Sequence, residues 1–181
     1  MVVSTEVIMI ADTIRITLAN LPALLCIAAV VCATLINRDQ HWSRRYLSWI
    51  LLLAVGVDGL WAGLFHVFFP AIASAQIGWQ QSPFEFEVGV ADIALGTIAV
   101  LAFWRSLSFQ SAVALYAIIF YAGVSVGHFV QAFQNNDYAA DNFGPLLALT
   151  IARVIALSIL LWAAWKQSPS ERLRDGYRAR A

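Results

Sequence analysis

Apolar residues run in five long blocks along this chain, at 14–36, 46–69, 83–104, 109–133 and 145–165, and polar residues gather between them. Each block exceeds the roughly 20 residues that a helix needs to cross a hydrocarbon core of ~30 Å. The pattern predicts an all-α protein: a five-span transmembrane helical bundle, one membrane domain over residues 1–181, ending in a short basic tail at 166–181. Pro83 and Pro145 suit the first position of a helix, where a missing N–H costs nothing. Pro70 suits the point just past a helix end.

Composition agrees with that division. The chain is 61% hydrophobic and only 12% charged, with formal net charge zero, and its mean hydropathy is +0.74. A soluble domain carries about 25% charged residues, so this chain has too few to coat a water-facing surface. The N-terminus lacks the basic region of a cleavable signal peptide, because Glu6 and Asp12 precede the first base, Arg15. Cys26 and Cys32 lie six residues apart in the first block, which sets them about 120° apart on a helix. That spacing argues against a disulfide or a metal pair and reads both as small buried hydrophobes.

Basic residues set the orientation. Arg38, Arg44 and Arg45 lie between the first two blocks, Arg105 between the third and fourth, and Lys166, Arg172, Arg174, Arg178 and Arg180 in the tail. Five crossings put all of these on one side and leave Arg15 alone on the other. By the positive-inside rule the N-terminus is outside and the tail is cytoplasmic. Trp42, Trp49, Trp79, Trp104, Trp162 and Trp165 fall near block ends, as interfacial aromatic belts do. Attraction to anionic lipid accounts for the basic tail; nucleic acid is not indicated as a partner, and the bilayer is.

Few polar groups enter the blocks, so each is informative. Ser82-Pro83-Phe84-Glu85 reads as a capping box, with Ser82 at the N-cap and Glu85 reaching back to a free backbone N–H. Glu85, Gly89, Asp92 and Gly96 are spaced four, three and four, so they share one helix face, and small residues there let another helix come close. Glu87 points about 200° away from Glu85.

Asp58, Asp92 and Arg153 are the charges deep in the blocks, at similar levels of roughly 12 to 16 Å from the outer edge by helical rise. A lone charge at such depth costs about 2.5–3.5 kcal/mol on insertion scales, so such groups pair. An intramembrane ion pair of Arg153 with Asp58, Asp92 or both follows, serving either as a packing lock or as a proton or ion relay. Nearer the outer edge lie His66, Glu87, His128 and Gln131. On the second block Gly56, Gly59, Gly63 and His66 fall within about 80° of arc, an inward face. On the fourth, Ser125, His128 and Gln131 form a polar strip beside Gly123 and Gly127. Two histidines and a carboxylate at one level can hold a divalent metal, or can form a hydrogen-bond network between helices. His66 and His128 can also ligate a haem. His41, in the basic loop, reads as solvated. There is no Rossmann, Walker, zincin or Ser–His–acid signature, so no catalytic residues are assigned and enzymatic activity is not the expectation.

The stretches "GLWAGLFHVFFPAIASAQIGWQQSPFEFEVGVADIALG" and "GHFVQAFQNNDYAADNFGP" resemble the signature of a bacterial family of small multi-pass inner-membrane proteins of unknown function. That signature has a Gly-rich span ending in His, then Ile-Gly-Trp, a Pro-Phe-x-x-Glu-Val helix, a Gly-His span, and Asn and Gly before the last helix. Here these match His66, Gly78, Trp79, Pro83, Phe84, Glu87, Gly127, His128, Gln131, Asn142 and Gly144. The resemblance covers the second to fifth blocks and omits the first. It departs at Glu85 and Asp92, where the signature leads one to expect amides. It implies a shared outer-face site at His66, Glu87 and His128 and a location in the bacterial inner membrane, and it supplies no activity. Three functions compete: binding or transport of a metal ion or small polar ligand at the His66–Glu87–His128–Gln131 site, a haem-binding redox protein, and a non-catalytic accessory subunit docked to a membrane protein partner or to a second copy.

Overall fold

The structure is a computed structural model and describes residues 5–36 and 39–178. Among these residues there is no strand, and seven helices carry the fold. They are α1 (Thr5–Ala19), α2 (Leu21–Leu35), α3 (Trp42–Phe68), α4 (Pro70–Ile77), α5 (Phe84–Ala102), α6 (Leu107–Asn135) and α7 (Pro145–Arg178). Arg38 and Arg180, and the side chains of Arg172, Arg174 and Arg178, lie outside the described residues.

Three helices are long and apolar enough to cross a membrane: α3, α6 and the Pro145–Gln167 part of α7. The α1–α2 pair makes a fourth if its bend sits within a single span. That bend corrects the first block, expected to be one continuous helix. The chain turns by 65° between Asp12–Ala19 and Leu21–Leu35. Pro22 stands in the first turn of α2, and a proline there has no N–H for the preceding turn and crowds its carbonyl, so the helix restarts. α5 has the length of a span but carries Glu85, Glu87 and Asp92 within its 19 residues, and it is not among the helices that pass on composition.

α3 is not α-helical throughout. Ile50–Val57 winds as a π-helix, and the backbone N–H of Asp58 reaches back five residues to the Leu53 carbonyl. The wider turn rotates everything beyond it, which aims Asp58 inward. Such insertions occur often at functional sites.

α3 and α5 form the tightest seam, and glycine makes it. A Cβ on Gly63 would lie 2.5 Å from the Gly89 carbonyl oxygen, and one on Gly96 would lie 2.6 Å from the backbone N of Leu60. The two backbones therefore touch, as small-residue interfaces in lipid allow. α6 packs along α7, and the first turns of α3 pack on α2 and α7. Leu47, Leu51, Val55, Leu95, Ala99, Ala114 and Leu157 fill the space between them. On α6 the small pair faces the other way: a Cβ on Gly123 or Gly127 would meet nothing within 4 Å.

The connection after α3 contains helix α4. Pro70 opens it at the first position, and Gly78, with φ of +79°, ends it in the left-handed region. A side chain at Gly78 would also strike Asp137, whose Oδ1 would be 2.6 Å from its Cβ, so this glycine ties two loops together. α7 runs on through most of the basic tail to Arg178. His41 is not simply solvated: its ring nitrogen accepts from the backbone N of Ser43 and caps α3.

Candidate functional site

Two polar clusters lie inside the bundle at different depths. The deeper one centres on Arg153 of α7, which is 5% exposed. Its Nη1 is 2.6 Å from Asp58 Oδ2. Its Nε donates to Cys26 Sγ at 3.3 Å, and its Nη2 donates to the Pro22 carbonyl at 3.3 Å. The guanidinium carbon stands 5.9 Å from the Tyr121 ring centroid. One cation thus binds together α2, α3, α6 and α7. Asp92 of α5 is buried beside this group, within electrostatic range of Asp58 and Tyr121. Among the described residues it has neither a hydrogen-bond nor an ion-pair partner. The ion pair expected from the sequence is present, and the partner is Asp58. A cavity of about 190 Å³ between α2, α3 and α7 has Arg153 and Cys26 in an otherwise apolar wall.

The shallower cluster joins α3, α4 and α5. His66, near the end of α3, lies with Nδ1 3.4 Å from Glu85 Oε1. Ser74 of α4 donates to the other carboxylate oxygen, Glu85 Oε2. The capping box is therefore not formed: Glu85 turns away from the backbone to its neighbours on α3 and α4, and α5 starts with no side-chain cap. The reason is burial. Ser74 is 4% exposed, and a hydroxyl at that depth needs a partner. Ser82 instead lines the mouth of a cleft of about 390 Å³ with His66, Val67, Pro70, Gln81, Pro83 and Phe86.

Glu87 and His128 do not join this cluster. Glu87 is exposed on the far face of α5. His128 Nδ1 is 2.6 Å from Asn142 Oδ1, and its ring lies 5.5 Å, centroid to centroid, from that of Trp79. Asn142 is fully buried and donates to the Asp137 carbonyl at 2.7 Å, so His128 organises the loop before α7. Gln131 accepts from Asn135 Nδ2 at 2.5 Å on its own helix. Among the described residues no group of three or more His, Cys, Asp or Glu side chains is placed to hold a metal ion. The expected set of His66, Glu87 and His128 is not assembled: Glu85 is the carboxylate beside His66, Glu87 is exposed, and His128 pairs with Asn142.

Several site residues carried no sequence signal of their own. Cys26 was read as a small hydrophobe and proves to be an acceptor for Arg153. Tyr121 lies at the same level as Arg153, one turn before Ser125 on the polar strip of α6. At the opposite end, Gln110 is buried and donates to Ser48 Oγ at 2.9 Å and to the Ala102 carbonyl at 3.0 Å.

Long apolar helices, a buried ion pair and glycine-mediated backbone contact are the marks of a helical membrane protein. The chain belongs to a family of unknown function (DUF6790), whose profile matches residues 18–170. The match takes in the first apolar block, which the signature described above leaves out. No curated protein and no solved structure matches the chain.

Proposed function

We propose that this chain is a five-span protein of the bacterial inner membrane, with the N-terminus outside and the tail in the cytoplasm, that binds a small polar ligand in the cleft beside His66. The fifth crossing is α5. Its 19 residues span about 28 Å. Glu85 and Glu87 lie in its first turn, at the edge of the core, and Asp92 is buried against protein. Beyond the first turn its exposed residues are Val88, Val90, Ala94, Thr97, Ile98 and Leu101, which lipid tolerates because the one hydroxyl among them, Thr97, donates to the Ile93 carbonyl of its own helix. With α5 counted and α1–α2 taken as one bent span, Arg44, Arg45, Arg105 and Lys166 share one side.

One observation carries the ligand assignment: the cleft of about 390 Å³ has His66 in its wall, and that ring is braced from behind by Glu85. The bracing fixes Nδ1 and leaves Nε2 without a protein partner among the described residues. Gln81 and Ser82 add an amide and a hydroxyl at the mouth. The volume falls within the ~300–1,000 Å³ of small-molecule sites. His66 and Glu85 supply two ligands at most, which favours a small molecule with hydrogen-bonding groups over a metal ion.

The test has two arms. Cysteines placed at Gln80 and at Ser168 should label from opposite sides of sealed vesicles. For the ligand, protein purified in native-lipid nanodiscs should release a small polar molecule detectable by mass spectrometry, and His66→Ala should reduce its recovery at least tenfold. Equal recovery from both proteins would remove the assignment.

A further inference from the structure

The deep cluster has more acid than base. Asp58, Asp92 and Arg153 are each at least nine-tenths buried, with 5%, 8% and 5% exposure. If both carboxylates were ionised, the cluster would carry one uncompensated negative charge. Among the described residues no second cation adjoins the cluster. Each nitrogen of Arg153 already has an acceptor: Nη1 has Asp58, Nε has Cys26 and Nη2 has the Pro22 carbonyl. Asp58 Oδ1 is buried with no hydrogen-bond partner, and Asp92 has none among the described residues. The titratable groups within electrostatic range of Asp92 are Asp58 on α3 and Tyr121 on α6, and Arg153 on α7 and Cys26 on α2 lie beyond them, on the far side of Asp58. Arg153 is the only cation of the set.

A buried carboxylate with no partner is not retained as an anion in an apolar interior. We infer that Asp92, buried without a partner among the described residues and packed against the turn of α3 that carries Asp58, is a binding site for one exchangeable small cation, H⁺ or Na⁺, separate from the cleft at His66. Binding brings the cluster to neutrality, and release leaves the second carboxylate uncompensated beside the Asp58–Arg153 pair. Along the α3–α5 seam between this site and that cleft, Gly63 packs closely against the Gly89 carbonyl. The π-helical segment ending at Asp58 is the element able to take up the change, since reverting it to α-helix would rotate Asp58 relative to Arg153.

The two forms of the cation are separated by one set of measurements on the full chain in nanodiscs. Infrared difference spectra in sodium-free potassium buffer read protonated carboxyl groups through their C=O stretch. Equilibrium binding of radioactive ²²Na⁺ reads the sodium form. If the cation is H⁺, the wild type shows one buried carboxylic-acid band that Asp92→Asn abolishes, that Asp92→Glu displaces, and that Glu87→Gln leaves alone. If it is Na⁺, the wild type binds about one ²²Na⁺ per chain, and Asp92→Asn binds none. Asp92→Glu retains the acid, so it still reports should Asp92→Asn fail to fold. Absence of both a band sensitive to residue 92 and sodium binding sensitive to residue 92 overturns the inference.

Discussion

The deep and shallow clusters answer to the same chemistry and reach opposite degrees of determination. Arg153 is enclosed by protein, out of reach of solvent, and each of its nitrogens takes an acceptor: a carboxylate, a thiol and a backbone carbonyl. Around His66 the cluster opens into a cleft, and water is an alternative partner. Glu85 and Glu87 are two residues apart on α5, and only one of them turned inward. Depth therefore decides how strongly a polar residue dictates its partners. Where no solvent competes, charge alone names the pair; where solvent competes, local packing chooses.

That contrast can be broken most forcefully at Arg153. Arg153→Met strands Asp58 beside Asp92 and releases the Cys26 and Pro22 contacts. Removing one member of a buried pair costs about 3–5 kcal/mol, so thermal unfolding in detergent should show the largest loss of any single substitution. Next comes the seam between the clusters. Gly63→Val places a branched side chain where a Cβ already meets the Gly89 carbonyl at 2.5 Å. Overpacking of this kind costs about 1–3 kcal/mol, and disulfide trapping between cysteines placed at Leu64 and Val88 should change with it. In the shallow region, Asn142→Ala removes the acceptor of His128 and a donor to the Asp137 carbonyl. Leaving those groups unsatisfied costs about 1–3 kcal/mol, visible as faster proteolysis of the loop before α7. Glu85→Gln keeps an acceptor for Ser74 and removes the charge beside His66, an effect of about 1 kcal/mol that should appear as weaker ligand retention. Glu87→Gln should change stability by less than about 0.5 kcal/mol; an effect as large as that of Glu85→Gln would show that the exposed acid is the functional one.

The same contrast explains what was legible in the chain beforehand. The blocks at 46–69, 109–133 and 145–165 became α3, α6 and the Pro145–Gln167 part of α7 with shifts of a few residues, because a bilayer-length apolar run favours a helix. The shared face of Gly89, Asp92 and Gly96 was legible from spacing alone, as was the glycine face of α3. The break at Asn20 was carried by Pro22, whose effect an apolar-block reading overlooks. The π-helical segment Ile50–Val57 has no signature, since its residues are ordinary helix-compatible apolar side chains. Glu85 shows the other limit. Its position three residues after Ser82 fits a capping box, yet Ser74, eleven residues earlier in sequence, offered a buried hydroxyl that local spacing cannot reveal. Cys26 was likewise invisible as an acceptor until α2 and α7 were brought together.

The account rests on Asp58, and not Asp92, being the carboxylate that Arg153 binds. A double-mutant cycle on thermal stability measures this directly, using Asp58→Asn, Asp92→Asn and Arg153→Met singly and in pairs. The predicted result is strong coupling between residues 58 and 153, at least about 1.5 kcal/mol, with Asp92→Asn neutral or stabilising. Strong coupling between 92 and 153, with little between 58 and 153, would contradict it.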